Sequence, residues 1–196
     1  MKRREGLAVL LAGLAPAAQG RTLRVNRGDR LQDAVAAARD GDVVELEGGD
    51  HQGQTAVITQ DRLTLRAAAG TAVLHADGLH AEGKALVVVR GGRVRLEGIE
   101  FRGARVPHGN GAGIRFERGA LTLQRCRFFD NEMGLLSADV ADAELTIDDC
   151  DFGQAPRHEG LLHHLLYVGR IGSLRLTGSR FSGGWRGHLV KSRAAV

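Results

Sequence analysis

Apolar and polar positions alternate through much of this chain, and in its second half they repeat a phrase. The segments VRLEGIEF (94–101), LTLQRCRF (121–128), LTIDDCDF (145–152) and LRLTGSRF (174–181) are apolar in their first, third and eighth slots, and carry Ile99, Cys126, Cys150 and Ser179 in the sixth. Slots one and three keep the two-residue period of a strand, a two-residue polar bend follows, and slots six and eight resume the period. Each phrase predicts two short strands joined by a corner, with all four side chains turned to one side.

Successive phrases start 27, 24 and 29 residues apart, and a partial copy, LTLRA from Leu63, precedes the first by 31. No helix-length amphipathic stretch separates them, which points to a β-solenoid. One turn cannot bury its apolar side alone. Stacking turns about 4.8 Å apart gives each one its neighbours as a core and pairs the backbone groups between turns. A third strand is supplied just before each phrase: ALVVV (85–89), GIRFE (113–117), GLLSA (134–138), HHLLYV (163–168) and GHLVK (187–191). Three strands per turn predict an all-β, right-handed parallel β-helix of about five to six turns, with repeat turns over 63–193. A closed sandwich fits less well, since its strands would not repeat the same slots at the same interval.

The N-terminal part predicts a cap for this stack. Asp29 with Gln32 resembles a capping box, Leu31, Ala34, Val35 and Ala38 form one apolar stripe, and Gly41 ends the helix, placing it over 29–40. DVVELEGG then reads as the first strand. A helix across the first turn covers an open stack end.

Composition adds compartment and partner class. At 196 residues and 43% apolar, the chain fits one buried core, taken as a single domain over 21–196. Residues 1–18 read as a signal peptide, with Lys2, Arg3 and Arg4 before an apolar run and an Ala15-Pro16-Ala17 tail. The mature protein is expected in the periplasm or secreted. No later segment has the roughly 20 apolar residues of a membrane span. Removing the leader lowers the formal charge from +4 to +2, too mild to argue for nucleic acid. Cys126 and Cys150 share the sixth slot, so a column of small core residues is expected; side chains parallel in one file give a poor torsion for a disulfide.

At these residues a family resemblance emerges. LQDAVAAARDGDVVELEGGDHQG resembles the opening of exported pectate-lyase-like β-helix proteins, with His51 where those proteins often carry an aromatic residue. LLYVGRIGSLRLTGSRFSGGWRGHLVKSRA is similar to the tail of uncharacterised bacterial β-helix proteins, with Leu165 at their usual asparagine. The resemblance covers nearly all of 21–196 and implies the fold, together with cleavage, epimerisation or binding of an acidic polysaccharide along one outward strand stack. It names no reaction. Val106-Pro107-His108-Gly109 lacks both acids of the alginate-epimerase Asp-Pro-His-Asp box. The Asn-Thr-Asp and Gly-His-Gly elements of polygalacturonases and the Arg-x-x-Pro-x-x-Arg pattern of pectate lyases are missing from the sequence.

Candidate chemistry comes from the third strands. Started at Gly113, Gly134, His163 and Gly187, they align Glu117, Ala138, Tyr167 and Lys191 on one outward side, with Arg193 of the same parity. Elimination from a uronic acid needs a base, a cation for the carboxylate and a donor for the leaving oxygen. Lys191, Arg193 and Tyr167 are the candidates for those roles, with His164, His188 and Glu117 as substrate-binding residues. The alternative makes Lys191 and Arg193 solvated strand-end charges and Tyr167 a cover for an apolar patch. The two functional readings are thus a polysaccharide lyase and a noncatalytic envelope or matrix protein that binds glycan or merely stacks.

Other constellations are weaker. His158 and His163 are five apart where a zinc-binding helix face requires four. Asp139, Asp142, Glu144, Asp148, Asp149 and Asp151 suggest calcium but lack the spacing that fixes coordination, so no cofactor is expected. Gly109-Asn110-Gly111-Ala112-Gly113 has no following helix and reads as a turn, not a phosphate loop. The sequence stops at Ala194-Ala195-Val196 just after the first strand of a further turn, with no polar cap. Truncation relative to longer relatives is the expectation adopted, with end-to-end self-association through that turn as the alternative.

Overall fold

A computed structural model describes residues 20–195; the leader read over 1–18 lies outside them. Strand β1 (Thr22–Val25) and helix α1 (Leu31–Ala37) come first. The chain then lays down one strand on each of three sheets, A, B and C, and repeats the circuit. The first circuits are β2 (Val43–Leu46), β3 (Gly49–His51) and β4 (Ala56–Ile58), then β5 (Arg62–Ala67), β6 (Ala72–His75) and β7 (Ala85–Val89). Next come β8 (Arg93–Glu97), β9 (Ile99–Arg102) and β10 (Ala112–Phe116), then β11 (Ala120–Gln124), β12 (Arg127–Phe129) and β13 (Met133–Ser137). The last two circuits are β14 (Val140–Asp148), β15 (Asp151–Gly153) and β16 (Leu166–Val168), then β17 (Ile171–Thr177), β18 (Arg180–Ser182) and β19 (Val190–Ser192). Every strand pairs in parallel with its counterparts one circuit away, giving sheets of seven, six and six strands. The chain is a three-sided, right-handed parallel β-helix.

The repeated phrase is the strand pair of sheets A and B. Its fifth slot, held by Gly98, Arg125, Asp149 and Gly178, has φ of 66°, 51°, 51° and 59°, so one left-handed residue makes each corner. Slots one and three fill the interior with Val94 and Leu96, Leu121 and Leu123, and Leu145 and Ile147, all buried. The eighth slot stacks Phe101, Phe128, Phe152 and Phe181 in register. Their ring centroids are 5.0, 4.5 and 4.8 Å apart and their planes lie within 10° of parallel. Leu74 and buried His51 continue this file towards the N-terminus.

The sixth slot is a hydrogen-bonded column. The Cys126 amide donates to Cys150 Sγ at 3.4 Å, and the Cys150 amide donates to Ser179 Oγ at 3.1 Å. Both cysteines are free and buried, and burial pushes the Cys126 thiol well up from its ordinary pKa. On the outer side of sheet B, register places Glu100, Arg127, Asp151 and Arg180 in one file. This alternation of sign across neighbouring strands is what the mixed charges of the sequence become in three dimensions.

The N-terminal region departs from expectation in three respects. The helix is shorter than 29–40, because the expected capping box does not form. Arg30 is the N-cap residue and makes no side-chain cap bond. The Asp29 carboxylate instead accepts from the Asn26 amide at 2.8 Å, and Gln32 Oε1 accepts from the Val57 amide at 2.8 Å. Long-range glutamines satisfy the helix ends: Gln54 Oε1 accepts from the Leu31 amide, and Gln60 Nε2 donates to the carbonyls of Val35 and Ala38. Leu31 and Val35 are buried against the stack. DVVELEGG is not the first strand, since Thr22–Val25 pairs with it ahead of the helix. The repeating circuits also begin earlier than residue 63, at Val43, where His51 and Leu74 occupy the phenylalanine slot and disguise the phrase. Among the described residues no helix is long and apolar enough to cross a membrane.

Candidate functional site

The outer face of sheet C collects the candidate residues. Near the start of each of its later strands lie two consecutive inward residues, Gly113-Ile114, Gly134-Leu135 and Leu165-Leu166. The glycines are required by the phenylalanine file: a Cβ on Gly134 would lie 2.3 Å from the Leu165 carbonyl oxygen and 2.8 Å from a Phe152 ring carbon. After this pair the alternation resumes, and the next outward residues form the file Val57, Val88, Arg115, Leu136, Tyr167, Lys191.

Tyr167 and Lys191 are therefore direct partners on β16 and β19, the adjacency expected from the sequence. Glu117 is not in their file. It extends β10 two residues beyond Arg115, level with Ala138, and Arg115 occupies the place in the Tyr167 file. The paired inward residues, and not the first residues of the strands, set this register.

The structure brings five of the six candidates together. Lys191 Nζ lies 4.6 Å from the Tyr167 ring centroid, and Arg193 Cζ lies 5.8 Å from it. His164 packs 5.5 Å from Tyr167 and 5.1 Å from His188, centroid to centroid. The His188 amide donates to His164 Nδ1 at 2.9 Å, which leaves the proton of a neutral His164 on Nε2. Burial, reinforced by the charge of Lys191 and by His188, holds the His164 pKa below its ordinary value. Among the described residues Lys191 and Arg193 have no carboxylate within ion-pair distance.

Glu117 belongs to a separate charge network. It accepts from Lys84 at 2.6 Å and Arg90 at 3.0 Å, while Glu82 holds the same two cations at 3.4 and 2.5 Å. Burial alone would raise the Glu117 pKa, but the bond and charge of Lys84, then the charges of Arg90 and Arg115, hold it below the ordinary value. Its carboxylate is thus committed within the fold.

The remaining sequence candidates do not assemble. His158 and His163 lie outside any helix, with ring centroids 5.7 Å apart, and His163 Nδ1 donates to the Pro156 carbonyl. Of the acids considered for calcium, Asp139 accepts from the Arg170 amide, Asp148 from the Thr177 hydroxyl, and Asp151 faces Arg180. Among the described residues no three metal-ligating side chains converge. Arg115 was missed by sequence reasoning, although its strand position gave the signal.

The fold and site define a parallel β-solenoid with a basic and aromatic cluster on one outer face. No protein-family model, curated protein or solved structure matches this chain.

Proposed function

We propose that this chain is an exported, noncatalytic β-helix protein that binds an acidic polysaccharide across the outer face of sheet C. The observation that carries the reading is the grouping of two cations without acid partners, Lys191 and Arg193, around the exposed side of Tyr167. Cations so placed attract a polyanion, and an aromatic ring offers the apolar surface of a sugar a flat contact. His164 Nε2 adds a hydrogen-bond donor beside them. Held beside one ring with no acid partner among the described residues, Lys191 and Arg193 are a pair suited to holding a carboxylate. Uronic-acid elimination by Lys191, Arg193 and Tyr167 is therefore the reading that the test must defeat.

The test incubates the purified chain with alginate, pectate and glycosaminoglycans. Retention on at least one polymer, weakening as salt rises and lost in the Lys191→Ala/Arg193→Ala variant, is the expected result. New ultraviolet absorbance from an unsaturated uronide would overturn the noncatalytic reading, and retention unchanged in the double variant would overturn the site.

A further inference from the structure

One outward file on sheet A has its charges separated by sign. Register places Arg62, Arg93, Ala120, Glu144 and Ser173 side by side on β5, β8, β11, β14 and β17. Arg62, Arg93 and Glu144 are exposed. Arg118 joins the cationic end, since a Cβ on Gly91 in the circuit before would lie 3.1 Å from its side chain. Asp142 joins the acidic end, exposed two positions before Glu144 with buried Ala143 between them. Among the described residues Arg62, Arg93, Arg118, Asp142 and Glu144 have no opposite charge within ion-pair distance. Asp61, next to Arg62, still leaves the cationic end positive overall.

The neighbouring file on the same sheet is arranged differently. Glu45 contacts both Arg24 and Arg66, and Glu97 contacts both Arg95 and Arg125, so its signs are interleaved within one chain. Like charges on adjacent strands repel, which makes the Arg62 and Arg93 neighbours unfavourable in an isolated chain. An opposing surface with the reverse order of signs removes that cost. A second copy of this face, turned about a two-fold axis over Ala120, is such a surface. The rotation exchanges the strands on either side of β11, so Arg93 of each copy meets Glu144 of the other and Arg62 meets Ser173. Small residues lie between the two charged ends and permit close approach: a Cβ on Gly119 would lie 2.2 Å from the Gly92 carbonyl oxygen, and Ala120 follows.

We infer that two copies of this chain associate side by side through the outer faces of sheet A, joined by reciprocal pairing of Arg93 with Glu144. Seven strands about 4.8 Å apart and about five residues long offer about 500 Å² per copy. That is less than the roughly 800 Å² per partner of a standard interface, so the dimer is weak and salt-sensitive. Tyr167 lies on sheet C, a different side of the solenoid, and the inference does not rest on polymer binding there.

Sedimentation equilibrium of the purified chain over a micromolar-to-millimolar range tests it. A monomer–dimer equilibrium is expected at low salt, weakening about tenfold or more as salt rises. Arg93→Glu and Glu144→Arg are each expected to weaken the dimer about tenfold or more. An equimolar mixture of the two variants is expected to recover most of the association. In that mixture each reversed side chain meets the reversed side chain of the other variant, and the native pair forms at the second contact. Recovery also shows that both variants are folded. A chain that stays monomeric at millimolar concentration in low salt overturns the inference, as does a dimer indifferent to both reversals or a mixture no tighter than either variant alone. Assembly that continues past two copies and ignores both reversals marks contact through another surface and overturns it equally.

Discussion

Tyr167 and Lys191 are register partners on adjacent strands, and the ammonium of Lys191 lies 4.6 Å from the centre of the Tyr167 ring. The ring, not the hydroxyl, is the group that organises the cations around it. Tyr167→Phe is therefore expected to keep most polymer retention, whereas Tyr167→Ala loses it and costs stability of about 0.5–1 kcal/mol per cation contact. Affinity electrophoresis in pectate or alginate gels, with chemical denaturation alongside, checks both. A leaving-group donor would show the opposite pattern, with Tyr167→Phe the damaging change.

The phenylalanine file should be most sensitive at its centre. Phe128 is buried with an aromatic neighbour on each side, while Phe181 is only partly buried at the end of the file. Phe128→Ala is expected to cost about 3–5 kcal/mol and Phe181→Ala less than half of that, measured by denaturant unfolding.

One corner is occupied by a residue in costly geometry. Arg125 has φ of 51° at the slot that Gly98 and Gly178 fill in other circuits. Left-handed backbone costs a side chain about 1–2 kcal/mol, against about 0.5–1 kcal/mol for the added freedom of an unfolded glycine. Arg125→Gly is expected to stabilise the chain by about 0.5 kcal/mol, with a rise of about 1–2 °C in thermal midpoint. A fall in the midpoint would show that the distant Glu97 contact of Arg125, at 3.9 Å, matters more than backbone geometry.

Acid should loosen the N-terminal strand. The Arg21 side chain, then the Arg39 amide, hold the Asp42 carboxyl down from 3.8 to about 2. Because the folded carboxyl titrates below the unfolded one, the stabilisation is complete above its ordinary pKa and is lost as pH falls from about 4 towards 2. Asp42→Asn is expected to unfold more readily at neutral pH and to show a shallower loss of stability through that window, followed by circular dichroism.

How much of this was legible in the sequence depended on which feature set each position. The phrase over 94–181 exposed the solenoid because its apolar slots are fixed by the interior of every circuit. The opening circuits were harder to read, since His51 and Leu74 fill the same interior place with different chemistry. Helix α1 was visible from Leu31 and Val35, but its ends were not, because Gln54 and Gln60 reach them from more than twenty residues away. At the site, strand parity put Tyr167, Lys191 and Arg193 outward correctly. The position of Glu117 and the importance of Arg115 depended on register, which the paired inward residues set and a simple count from the strand start does not.

The stacked rings have an effect that reaches the opposite side of the wall. Planes kept within 10° of one another at separations of 4.5–5.0 Å leave successive circuits little freedom to rotate past each other. The interior aromatic column thus acts as a ruler for the exterior, holding Arg115, Leu136, Tyr167 and Lys191 on a straight line although 76 positions of sequence separate the first from the last. A defect among the phenylalanines would be felt outside as lost alignment, disturbing ligand contacts made by side chains that the altered ring never touches.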